Sequence, residues 1–333
     1  MTSKKKKMML QVFEEAVTRE TIAFNYYMKA VQKAPYAETR SLFIQLAEEE
    51  RKHRYFLLKE MKKISNLFEE NEENTYITEN AVSYHLPDEL DFKRIQTIRG
   101  IDLAAVSLPA DMIGGDFFDT ITLERKGNAN ALGIFLYDVM GHGIEASHLK
   151  ALGKKAFGEF RESWIRGEKR VDMNQPGRVL EAINHQLMEA CQACGRFITG
   201  FYGVIDLEKQ LLHYSSAGHE LPILIKQNSE YVHMDETALL LGVDLNVEYL
   251  NSQKSIDEGS VFVLFSDGIV EATNPNDDMF ERDRLITIIQ KYGKESSKEL
   301  MSRIFKGLHK FIQGELVRDE ISLAIMKIKE IPN

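Results

Sequence analysis

From Ile101 onward, short apolar runs alternate with longer segments of helical spacing, and this rhythm constrains the fold more than any other feature of the 333 residues. The runs cover 101–107, 131–138, 197–206, 211–216, 261–266 and 321–328, the length of ordinary strands. Helical patterns lie between them at about 144–166, 177–193, 281–292 and 297–313. Tight polar turns join neighbouring runs, as Glu208-Lys209 does between Ile205 and Leu211. Turns that short argue for antiparallel pairing, and so for an α+β domain with helices packed on sheets. No internal repeat is visible.

The first part of the chain reads differently. Residues from about 6 to 68 contain no glycine, and Pro35 is their one proline. Pro35 sits between two long helical stretches, where it starts a second helix or breaks a single one. The expectation is an all-α two-helix hairpin over 1–68. Glu69 to Asn74 is acidic and polar and reads as linker, which extends to residue 98. Pro87 interrupts that stretch, and a short helix is expected from Asp88 to Ile98. The second domain then spans 99–330.

Composition removes several classes of function. A formal net charge of -9 argues against a nucleic-acid partner, and the basic tract Lys4 to Lys7 reads as a solvated tail. No long apolar stretch follows Met8, Met9 and Leu10, so neither a signal peptide nor a membrane span is expected. Two cysteines are too few for a disulfide framework and suit a reducing cytoplasm. They stand as Cys191-Gln-Ala-Cys194. Without a second pair they form no zinc site and read as ordinary thiols, with redox sensing as the alternative.

The chemistry lies where strands stop. The run Ile134 to Tyr137 ends at Asp138 and is followed by Gly141, His142 and Gly143. "DMIGGDFFD" places Asp116 and Asp119 after a glycine pair, "VFVLFSDG" ends a run at Asp267, and "RDEIS" sets Asp319 and Glu320 before the last run. One Asp-Gly at a strand end is an ordinary turn. Four or more such acids brought together would repel, so clustering them requires a cation. Carboxylates and carbonyls without cysteine select hard ions such as Mg²⁺ or Mn²⁺. A pair of these ions activates water and takes up phosphate charge without a protein nucleophile. Cys191 and Arg196 are spaced Cys-x4-Arg, not as the Cys-x5-Arg loop of thiol phosphatases.

Together, "PADMIGGDFFD", "YDVMGHGIEAS", "SSAGHELP", "FSDGIVEATN" and "RDEISLAIM" resemble the SpoIIE/RsbU branch of metal-dependent serine/threonine phosphatases, the type 2C-like (PPM) fold. The match covers roughly residues 95 to 330. It implies an antiparallel β-sandwich flanked by helices, and two Mn²⁺ or Mg²⁺ ions. Asp138 would bridge both metals, the Val139 carbonyl would complete one site, and Asp116, Asp267 and Asp319 would supply the other carboxylates. His142 would shape the turn, His219 would be structural and Asp119 would stand behind the ligands. Relatives usually carry Asp-Asp or Asp-Asn where this chain has Asp319-Glu320, so the longer Glu320 would alter the surroundings of the metals. The implied substrate is phosphoserine or phosphothreonine on a STAS-domain regulator in a partner-switching pathway.

In the first part, Glu50-x-x-His53 puts two ligand types on one helix face, and Glu20 stands on the preceding helix. That pattern resembles rubrerythrin and other ferritin-like proteins; a solvated face of a charged helix is the competing reading. One hairpin holds half of a di-iron site. A symmetric homodimer would hold two copies each of Glu20, Glu50 and His53, and would cover the apolar faces that a lone hairpin leaves open. The leading expectation is a cytoplasmic phosphatase regulated by this hairpin. The alternative is a di-iron oxidase, or a peroxide or iron sensor, whose phosphatase domain is a non-catalytic scaffold.

Overall fold

Two compact units divide the chain, Met1–Thr78 and Glu79–Asn333. The computed structural model describes residues 97–108, 115–125, 128–141, 144–168, 170–235, 238–315, 317 and 319–331, with Leu86, Leu90, Phe92, Lys93, Ile95 and scattered positions between Val12 and Leu57. Glu20, Pro35, His142, Gly143 and the acidic stretch 69–74 lie outside the described residues. In the first unit the described positions from Val12 to Ala30 and from Thr39 to Leu57 are helical, with a bend at Tyr36. The Tyr27 ring stacks on Phe43 with centroids 6.4 Å apart.

Among the described residues the second unit has ten strands in two sheets. They are β1 (Ile101–Leu108), β2 (Phe117–Arg125), β3 (Asn128–Val139), β4 (Ile198–Asp206), β5 (Leu211–Ala217), β6 (Ile223–Ile225), β7 (Tyr231–Val232), β8 (Ser252–Ser255), β9 (Val261–Phe265) and β10 (Ile321–Ile328). One sheet runs β1-β10-β9-β6-β7 and the other β2-β3-β4-β5-β8. Every pairing between these strands is antiparallel. The helices are α1 (Ile144–Ile165), α2 (Pro176–Cys194), α3 (Asp267–Val270), α4 (Glu281–Tyr292) and α5 (Ser297–Ile312).

The apolar runs are continuous because both faces of each sheet are covered. Side chains alternate across a strand, and here they alternate between two cores. Leu132, Ile134, Leu136, Phe201, Phe262, Leu264, Ala324 and Met326 fill the space between the sheets. On β3 and β4, Phe135, Tyr137, Tyr202 and Val204 point the other way, to Phe157 of α1 and to Leu180, Ile183 and Leu187 of α2. On β9 and β10, Val263, Phe265, Leu323 and Ile325 meet Leu285 and Ile289 of α4 and Leu300, Ile304 and Leu308 of α5. The result is four layers, with the sandwich in the middle.

Local signals fix the helix ends. Pro176 opens α2 and Gly195 closes it in the left-handed conformation, φ 66°, the asymmetry helices favour. Ser296 and Glu299 form a reciprocal capping box at the start of α5, a device worth about 1 kcal/mol.

One expectation fails here. Leu90, Phe92, Lys93, Ile95, Thr97 and Ile98 are not helical. The Lys93 N–H instead donates to the Ala105 carbonyl of β1 at 2.9 Å. Leu90 and Phe92 pack on the outer core of the first sheet, whereas Ile98 is buried between the sheets and Ile95 packs against that core. Among the described residues no helix is long and apolar enough to cross a membrane.

Candidate active site

Four aspartates flank strands, two on each sheet. Asp116 immediately precedes β2 and Asp138 is the penultimate residue of β3, both in one sheet; Asp267 follows β9 and Asp319 precedes β10, both in the other. The ladders hold these positions. Asp138 lies opposite Thr199, and Val139 opposite Ile198, on β4. A Cβ on Gly115 would stand 3.0 Å from the Val139 carbonyl oxygen and 3.1 Å from Asp138 Oδ1. Gly115 therefore lets the start of β2 press against the end of β3. Gly141, with φ +79°, turns the chain after β3; a Cβ there would run into the Arg196 guanidinium. That guanidinium donates to the Met140 carbonyl at 2.9 Å, tying the turn to the end of α2.

Asp116 is 2% exposed, and both its carboxylate oxygens are buried with no hydrogen-bond partner. Burial first, and then the Glu320 charge, raise its carboxyl to about 7. Asp138 and Asp319 are also pushed well above the ordinary carboxylate range. Burial leads for both; the neighbours are Asp116, Asp267 and Asp319 for Asp138, and Asp267, Asp116 and Glu320 for Asp319. The surfaces of Asp138 and Asp319 reach solvent, so at those two positions like-charge crowding is the firmer cause. All four aspartates thus lie within electrostatic reach of one another at one end of the sandwich.

The donor set fits a hard divalent cation. It is all oxygen, it concentrates negative charge, and it leaves a buried carboxylate with two unused acceptors. Among the described residues, no three Asp, Glu, His or Cys side chains are grouped so as to hold a metal ion as they stand. The residues that would hold ions, as the sequence resemblance implies, are Asp116, Asp138, Asp267 and Asp319, together with the Val139 carbonyl.

Other residues singled out in the sequence stand apart from this set. Asp119 accepts from Arg161 Nη1 at 2.6 Å. His219 is 5% exposed, with Nδ1 2.9 Å from Thr199 Oγ1. Burial lowers its pKa to about 4, so it is neutral at physiological pH and braces the residue opposite Asp138. The Cys191 thiol is pushed up to about 11 by burial and then by Cys194, which makes it a poor nucleophile. In the first unit, His53 Nδ1 lies 3.1 Å from Glu50 Oε2. Sequence reasoning missed the surroundings of Glu320, namely Ser107 and Lys150. It also missed Lys93, whose charge couples to Lys150, Glu320 and Asp116.

Comparison with known proteins agrees with this fold. The family model for stage II sporulation protein E (SpoIIE) matches residues 128–329, and the rubrerythrin model matches residues 11–96. The phosphoserine phosphatase RsbU of Bacillus subtilis is 27% identical over 230 residues, which is 69% of this chain and 64% of that protein. The chain thus matches somewhat under two thirds of this relative's length. The SiaA-PP2C domain of Pseudomonas aeruginosa superposes with a TM-score of 0.59 at 17% identity, over 68% of this chain and 85% of that one. The PP2C phosphatase domain of SpoIIE from Bacillus subtilis, solved with a fragment of its regulatory domain, gives 0.57 at 16% identity, over 70% and 64%. At those identities the two structures speak for the fold alone. With the family model spanning most of the sandwich and its helices, the chain belongs to the stage II sporulation protein E (SpoIIE) family.

Proposed function

We propose that this protein is a metal-dependent phosphoserine/phosphothreonine protein phosphatase. Its substrate is a phosphorylated STAS-domain regulator of a cytoplasmic partner-switching pathway, and its N-terminal helices regulate it. The observation that carries the reading is the quartet Asp116, Asp138, Asp267 and Asp319, two from each sheet, with the Asp116 carboxylate buried among them. The printed activity of the relative RsbU points the same way. These residues would hold two Mn²⁺ or Mg²⁺ ions, which when bound would supply an activated water and neutralise phosphate charge. The chain's own part is to aim the carboxylates rigidly from strand ends and to hold Val139 against Gly115. Neither Cys191 nor His219 is poised for covalent or acid–base work.

The test is phosphate release from a phosphoserine protein or peptide by the full chain. Release is expected with Mn²⁺ or Mg²⁺ and should cease in excess chelator. Full turnover in chelator would overturn the two-metal reading.

For the organisation of the chain we place a ferritin-like hairpin at 1–68, a linker at 69–98 and the phosphatase domain at 99–330. The hairpin is a dimerisation element whose two copies would offer Glu20, Glu50 and His53 to a di-iron centre. The rubrerythrin match and the Glu50–His53 contact support this. The full chain should scatter light as a dimer, and a chain beginning at Glu79 as a monomer. Iron bound by the full chain should be lost in Glu50→Ala and in His53→Ala. Equal particle mass for both chains, as monomers, would remove the dimer; wild-type protein that takes up no iron would remove the centre.

A further inference from the structure

Glu320 occupies an unusual place in this site. It is 5% exposed and stands just ahead of β10, in the first sheet, yet its side chain crosses to the second. Glu320 Oε2 accepts the Asp116 backbone N–H at 2.8 Å. Its other oxygen, Oε1, accepts the Ser107 hydroxyl of β1 at 3.2 Å and lies 3.9 Å from Lys150 Nζ of α1. Its backbone is held as firmly: the N–H donates to Asp319 Oδ1 at 2.7 Å, and the carbonyl accepts the Ser266 hydroxyl at 3.1 Å.

These contacts have a common effect. The Asp116 carboxylate is buried beside the Ser322 and Ser266 hydroxyls, and its main chain is the point from which it is aimed. The bond that fixes that main chain comes from the opposite sheet. A shorter acid at 320, even fully ionised, would place its oxygens about one methylene short of the Asp116 N–H. The length of Glu320, more than its charge, is therefore what the geometry uses. Ser107 and Lys150 hold the other end of its carboxylate, while its charge still raises the carboxyls of Asp116 and Asp319.

We propose that Glu320 is a positioning residue. It sets the aim of Asp116 through the backbone amide and locks the second-sheet half of the metal site to the first-sheet half. The inference rests on the two-metal reading of the same acids. It separates reach from charge, because glutamine keeps the reach and loses the charge, whereas aspartate does the opposite. In Glu320→Gln, Oε1 can still accept from Asp116 N–H while Nε2 donates to Ser107 Oγ.

The experiment is calorimetric titration of the full chain with Mn²⁺. Asp138→Asn is run beside it to mark the heat that belongs to the sandwich site. Glu320→Asp should weaken Mn²⁺ binding about ten- to a hundredfold, while Glu320→Gln should stay within about threefold of wild type, in line with the effect of outer-shell partners on metal affinity. Ser107→Ala, which removes the other anchor without touching an acid, should weaken binding in the same direction and by less. Melting in chelator checks that each variant folds. If Glu320→Asp binds as tightly as wild type, or if Glu320→Gln is as weak as Glu320→Asp, the positioning role is overturned. If wild type and Asp138→Asn titrate alike, the metal reading itself fails, and the proposal with it.

Discussion

Asp138→Asn is expected to reduce phosphate release by about a thousandfold or more, on the order of 4 kcal/mol of barrier. The loss should come without unfolding. Asp138 is held in the ladder opposite Thr199 of β4, asparagine has the same shape, and the backbone pairing does not involve the carboxylate. The substitution removes one acid from a crowded set, the one whose carboxyl burial and then Asp116, Asp267 and Asp319 push well above its usual range. In chelator, therefore, the variant should melt at or above the wild-type temperature, even though it is inactive. Phosphate release and thermal melting, measured on the same preparation, check both halves. Wild-type turnover would show that Asp138 holds no catalytic metal; a large drop in melting temperature would mean that the residue serves the fold.

The second large effect is on pH. A carboxylate must be ionised to hold a cation, and Asp116 titrates at about 7 in the metal-free protein. Below that pH a proton competes for the same oxygens. The apparent Mn²⁺ affinity should fall about tenfold per pH unit for each proton displaced. Asp138 and Asp319 are raised as well, so the slope should exceed one proton. Stability moves the opposite way without metal. The native state binds the Asp116 proton more tightly than the unfolded chain does, so the unfolding free energy declines as pH rises from the ordinary carboxylate value near 4 to about 7. Mn²⁺ titrations from pH 5.5 to 8, paired with melts in chelator, read both trends. A metal affinity flat across that range would show that these acids are not the ligands.

The parts of the fold legible in the sequence are those with long uniform runs. The runs at β3, β4, β9 and β10 are apolar on both faces because helices cover the outside, and their ends fall within a few residues of 131–138, 197–206, 261–266 and 321–328. β2 escaped because Asp119, Thr120 and Thr122 break its pattern, although Phe118 and Ile121 are buried. β6, β7 and β8 have two to four residues each, too few to carry a period. The helix expected at 88–98 failed because its apolar residues serve two different cores, a division that one-dimensional spacing does not show. The four aspartates were visible as acids at strand ends. The reach of Glu320 across the sheets was not, since it depends on which strand faces which.

That crossing has a mechanical side. Within each sheet the backbone ladders resist stretching, but the sheets meet through side-chain packing, which yields more readily to sliding. The acids are divided along that plane, so they act as a vernier. A slip of about an ångström between the sheets would leave every ladder intact and still misalign Asp116 and Asp138 against Asp267 and Asp319, a displacement large enough to cost a site most of its catalytic power. A regulator gripping the outer helices therefore need not reach the acids at all; shear applied to one layer is enough to detune them.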